Sequence, residues 1–162
     1  MMWVCRPGQQ DKYYNLFLST ERIYLAWDGY HRDFSGLATR NEFRDAVVEE
    51  KHPEARTTIS NWSGQLYSFC VEMNVGDYVL IPSKGSQTYL LCILTGRYEF
   101  DATSELPHSR KIGIITKAIP REKFPQPIQY SLGAFRTVFK VKQEREIILI
   151  AKQFANETEA AL

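Results

Sequence analysis

The sequence predicts an α+β fold built on a strongly curved or closed antiparallel sheet, with helices near its beginning and middle. Three observations lead there. Short apolar or alternating runs recur along the 162 residues, glycine-bearing turns separate them, and the regular strand-helix alternation of a doubly wound parallel sheet is missing. Neither Gly-x-Gly-x-x-Gly nor Gly-x-x-x-x-Gly-Lys-Ser/Thr occurs, so nucleotide-cofactor folds lose their signature and no cofactor is expected.

Residues 3–6 read as a first strand stopped by Pro7-Gly8, and residues 12–19 place Tyr13, Leu16 and Phe17 near helical spacing. Residues 22–27 form the next strand, ending at the turn Asp28-Gly29-Tyr30. Thr39 then stands three residues before Glu42, the spacing of a capping box, and predicts a helix to about Glu50. After Pro53, a helix is expected from Ser60-Asn61, because Trp62, Leu66, Phe69, Cys70 and Met73 form one apolar stripe.

Residues 78–82 and 88–97 flank the loop Ser83-Lys84-Gly85-Ser86 and predict a hairpin. A polar loop through Pro107-His108-Ser109-Arg110 leads to a strand over 111–118, and the prolines of 120–127 interrupt regular structure. Alternation of Phe135, Thr137, Phe139 and Val141 marks the last strand. From Glu144, Ile147, Ile150, Ala151 and Phe154 share a helical face, so the domain is expected over 1–143, with a terminal helix leading into a linker over 144–162.

Twenty basic and nineteen acidic residues give a net charge of +1, so a polyanion would need a local basic surface rather than the field of the whole molecule. Cys5, Cys70 and Cys92 are odd in number and set in apolar segments. They read as buried thiols of a cytoplasmic protein, with no metal site. No segment has the roughly 18 apolar residues needed to span a bilayer.

Asn61, Trp62 and Gln65 combine a flat π face with two amides, a set suited to stacking a heterocyclic base and bonding its edge. The alternatives are that Trp62 is core and Asn61 a helix cap. Trp27, Asp28 and Tyr30 sit where a strand leaves for a loop, the rim of a barrel, and Lys84 is a cation at a hairpin tip. Arg97, His108, Arg110 and Lys111 form a candidate phosphate path, which Arg136 and Lys140 could extend. Glu49-x-Lys51 after Asp45 lies on a predicted helix, where carboxylates do not converge as a metal nuclease requires. Neither Cys70 nor a serine joins His31, His52 or His108 in a recognisable motif, so a binding module is expected rather than an enzyme.

The order Trp3-Val4-x-Arg6-x-Gly8, Ile23-Tyr24-Leu25-Ala26-Trp27, Asn61-Trp62-x-Gly64-Gln65-Leu66, Val75-Gly76-Asp77 and Tyr130-Ser131-Leu132-Gly133-Ala134 resembles the amino-terminal domain of Mrr-like, modification-dependent restriction endonucleases. That domain is similar to the EVE and YTH readers of the PUA-like superfamily. The resemblance implies a curved antiparallel PUA-like/EVE-like β-barrel flanked by helices, which accepts a flipped and methylated DNA base between aromatic side chains. Trp27, Asp28, Tyr30, Asn61, Trp62, Gln65 and Lys84 would be the base pocket, and a nuclease domain or subunit the partner that cuts. An RNA reader, or a protein-interaction or small-molecule domain, is the alternative.

Overall fold

The computed structural model describes residues 1–53 and 55–160, so the last two residues of the expected terminal segment lie outside it. In chain order the regular elements are β1 (Met2–Cys5), α1 (Tyr14–Thr20), β2 (Arg22–Tyr24), α2 (Arg40–Lys51) and α3 (Arg56–Tyr67), followed by β3 (Tyr78–Ser83) and β4 (Thr88–Leu94). Then come β5 (Glu99–Phe100), β6 (His108–Ile114), β7 (Ile119–Pro120), α4 (Gln126–Leu132), β8 (Val138–Val141) and α5 (Glu144–Ala160). The fold is mixed α+β around one sheet ordered β2-β6-β4-β3-β1-β8, with β5 paired to β6 and β7 to β4.

The α+β class is as expected, but the strongly curved or closed antiparallel sheet is not what forms: the sheet is open and mixed. β1 runs parallel to β3, with Trp3 opposite Val79, because α1, β2, α2 and α3 fill the long crossover that a parallel pair requires. β2 and β8 stand at opposite ends of the strand order and share no backbone pairing. Side chains bridge the segments beside them: Trp27 Nε1 donates to Thr137 Oγ1 at 2.9 Å.

Period-two alternation divides the apolar strands between two cores. Trp3, Cys5, Val79, Ile81, Leu90 and Cys92 join Phe43, Ala46, Val47 and Leu66 of α2 and α3 on one face. Met2, Val4, Leu80, Tyr89 and Leu91 join Ile128 and Leu132 of α4 and Ile147 and Ala151 of α5 on the other. With both faces covered, β1 reads as a continuous apolar run rather than an alternating one. The terminal helix is thus part of the packed structure, not an appendage.

Local chemistry explains where the helices begin. Thr39 Oγ1 accepts from the Glu42 N–H at 3.2 Å and donates to Glu42 Oε1, which fixes the start of α2 as the capping-box spacing predicts. α3, in contrast, starts at Arg56, so Asn61 lies inside the helix and is not its cap. α4 begins at the end of the 120–127 stretch expected to be irregular, because Pro127 falls in its first turn, where a missing N–H costs no helical bond.

β6 begins at His108, not at the expected residue 111, and this shift turns a polar loop into a buried strand. His108, Arg110 and Ile112 all point inward. No helix among the described residues is long and apolar enough to cross a membrane. Cys5 and Cys92 are buried, and burial pushes the Cys92 thiol up to about 12.

Candidate functional site

A cleft of about 1220 Å³ opens between the β1–α1 loop, the segment after β2, the β3–β4 turn and the α4–β8 loop. Trp27, Asp28, Tyr30, Trp62 and Lys84, all expected at a base pocket, line it together. Its walls also carry Arg6, Lys12, Lys51, Arg121, Tyr13, Tyr89 and Phe135, none of them marked as pocket residues by type and spacing. Five cations against the carboxylates of Asp11 and Asp28 make the cleft basic, in a chain whose net charge is only +1.

The floor is aromatic. Trp27 and Tyr30 pack at 5.7 Å between centroids with a 41° tilt. Tyr30 is buried, and the Lys51 ammonium lies 5.2 Å from its ring centroid, so this ring backs Trp27 rather than offering a free face. Lys51 reaches Tyr30 by lying against Gly29, whose φ of +88° also favours glycine. Burial, followed by the charge of Glu50, pushes the Tyr30 phenol up to about 12, so it stays neutral. Trp27 and Trp62 are only half-buried and keep surface for a ligand.

Asp11 builds the rim. Its carboxylate accepts from the N–H groups of Lys84 and Gly85 and from Ser83 Oγ, each at 2.9 Å, tying the β1–α1 loop to the β3–β4 hairpin. Burial pushes the Asp11 carboxyl up, but those donors outweigh it and leave it below its ordinary range. Gln10, Asp11 and Gln87, all non-glycine, hold φ values of 52°, 58° and 52° around the same cleft. Such strain gathers where surrounding structure holds a functional surface in place. The arrangement leaves Lys12, Lys84 and Arg121 exposed around the opening.

Several expected site residues have structural roles instead. Asn61 and Gln65 do not line the cleft: Gln65 Nε2 donates to Asn61 Oδ1 at 2.7 Å, while Gln65 Oε1 accepts from the N–H groups of Thr137 and Val138 at 2.9 and 3.0 Å. The buried amide therefore satisfies the chain entering β8 and supports the cleft from behind.

His108 and Arg110 cannot belong to a phosphate path, because both are buried. Arg110 donates to the carbonyls of Phe69, Met73 and Gly96. Arg97, Lys111 and Arg136 are exposed but none lines the cleft. Lys140 pairs with Glu72 at 3.5 Å and lies over Trp3. Glu49 pairs with Arg32 at 2.8 Å.

The bonds of His108 fix its state. The Tyr30 carbonyl, 2.7 Å from Nε2, can only accept, so Nε2 carries the hydrogen and, in the neutral ring, Nδ1 accepts from the Tyr98 hydroxyl at 2.6 Å, whose oxygen also accepts from the Phe34 N–H at 3.2 Å. The neutral ring stacks on Phe34 at 4.8 Å. Burial lowers its pKa below the ordinary 6.5 despite the Tyr30 carbonyl.

A lowered histidine pKa means that the unfolded chain binds the proton first as pH falls. Stability is thus fully present above about pH 6.5 and declines below it, by up to about 1.4 kcal/mol per pH unit until the folded pKa is reached. Urea midpoints should fall between pH 7.5 and pH 5, roughly, and His108→Gln should flatten that part of the profile.

Residues 3–141 match the family model described as "Domain of unknown function (DUF8426)". The chain belongs to this family. The match spans β1 to β8 and includes every wall of the cleft, while α5 lies beyond it. No curated protein matches the DUF8426 chain. Among solved structures it is similar to protein Atu2648 from Agrobacterium tumefaciens, with 12% identity and a TM-score of 0.44 over 94% of this chain and 91% of that one.

Proposed function

We propose that this domain binds nucleic acid, holding a base turned out of its stack against Trp27 and Trp62 while Lys12, Lys84 and Arg121 meet the phosphates. The observation that carries the reading is the meeting of half-buried tryptophans and five cations in one cleft. Phosphate contacts supply affinity by counterion release. Stacking, worth roughly 1 to 3 kcal/mol per base, offsets the few kcal/mol that extrusion costs.

The resemblance to the amino-terminal domain of Mrr-like endonucleases favours a methylated DNA base and a role as the recognition part of a modification-dependent restriction system. It also favours a PUA-like/EVE-like reading of this open, mixed sheet. A buried methyl group contributes about 0.8 kcal/mol, or about fourfold. Stronger preference would come from cleft shape.

Binding to matched methylated and unmethylated duplexes, with RNA of the same sequence as competitor, tests the reading. Wild-type protein should bind the methylated duplex at low salt, and Trp62→Ala should weaken it by roughly 5- to 150-fold while the variant remains folded by circular dichroism. Absence of binding to all three polymers at low salt would remove the proposal.

A further inference from the structure

We propose that Phe135 is an aromatic finger that enters the base stack of a DNA duplex when the adjoining cleft takes up an extruded base. This rests on the nucleic-acid reading above and adds to it the form of the polymer. Phe135 borders the cleft, and its exposure of 107% means that its own chain covers none of it. The sequence alternation places it in the last strand, yet β8 starts only at Val138.

Looseness of the loop is not the reason for that exposure. Arg6 Nε donates to the Arg136 carbonyl at 3.0 Å, and Arg6 Nη2 donates to those of Leu132 and Ala134 at 3.2 and 2.6 Å. Gln65 and Trp27 fasten Thr137 on the other side. Residues on both sides of Phe135 are thus tied down, and the aromatic ring is presented on a fixed support. The backbone that carries the ring therefore needs little ordering on binding.

Charge identifies the partner. Arg136, the next residue, is exposed, and the cleft that Phe135 borders is basic, so the apolar tip stands in surroundings that attract a polyanion. Geometry favours the duplex. Both faces of a projecting ring are open to solvent, and a single strand stacked flat would cover one of them. A vacancy between base pairs covers both, as for apolar wedges that enter base steps. The cleft removes the base, and the ring fills the space that the base leaves.

The test compares wild-type protein, Phe135→Ala, Phe135→Trp and Trp62→Ala. Each is titrated with short DNA duplexes carrying one methylated cytosine or one methylated adenine, and with the methylated strand alone. Phe135→Ala should weaken duplex binding about tenfold but single-strand binding less than about twofold, with its melting temperature unchanged. Phe135→Trp should retain duplex affinity, and Trp62→Ala should lose affinity for both forms. Equal losses on both forms, or no loss on either, would overturn the finger. Failure of the wild-type protein to bind either form would instead overturn the nucleic-acid reading and the finger with it.

Discussion

Replacing Arg110 with methionine is expected to destabilise the fold by about 3 kcal/mol, shifting the urea midpoint down by roughly 1 to 2 M. The buried guanidinium donates to Phe69 O at 3.0 Å, Met73 O at 2.8 Å and Gly96 O at 3.2 Å. It therefore ties the end of the helical segment after α3 to the loop after β4. Methionine keeps much of the apolar stem but leaves three carbonyls without their donor. Returning the guanidinium to water in the unfolded chain no longer matters for the variant, which is why the loss stays below the sum of three charged hydrogen bonds. Arg110→Lys should recover only part of it, because one ammonium cannot reproduce the planar fork.

The second large effect concerns binding. Lys12→Ala, Lys84→Ala and Arg121→Ala together should leave the fold intact, since all three side chains are exposed. They should also remove three phosphate contacts from the cleft. Each contact contributes about −0.9 to the slope of log affinity against log salt on a duplex. Over a fourfold rise in salt, wild-type affinity should therefore fall about fortyfold further than that of the triple variant. Replacing Arg97 and Lys111, which lie outside the cleft, should leave the slope close to that of the wild type.

What the sequence made legible was local. The Thr39–Glu42 box, the β3–β4 hairpin and the apolar face of α5 each lie within a few residues, so spacing alone carries their geometry. His108 and Arg110 read as a polar loop in the sequence because three of the groups that satisfy them, the Tyr30, Phe69 and Met73 carbonyls, are 37 to 78 residues away, and only Tyr98 and Gly96 are near. The parallel β1–β3 pair was hidden for the same reason: its two strands are separated by three helices and β2.

The cleft divides along the same line. Trp27, Asp28, Tyr30, Trp62 and Lys84 stood out by residue type beside turns or at a helix stripe, and the fold gathers them. Lys51 looked like part of a solvated helix, and only the bend at Gly29 brings it to Tyr30. Gln65 was singled out as a base contact, but the open N–H groups of Thr137 and Val138 claim its carbonyl oxygen. An amide suited to reading a base edge is equally suited to an unpaired backbone.

The proposed function requires that this cleft, and no other surface of the domain, meets nucleic acid. The salt dependence of methylated-duplex binding, measured side by side for wild-type protein and the Lys12→Ala, Lys84→Ala, Arg121→Ala variant, tests it most directly. A slope shallower by about 2.7 in the variant is the predicted result. Equal slopes, with both proteins folded and binding, would contradict the claim and move the phosphate contacts elsewhere.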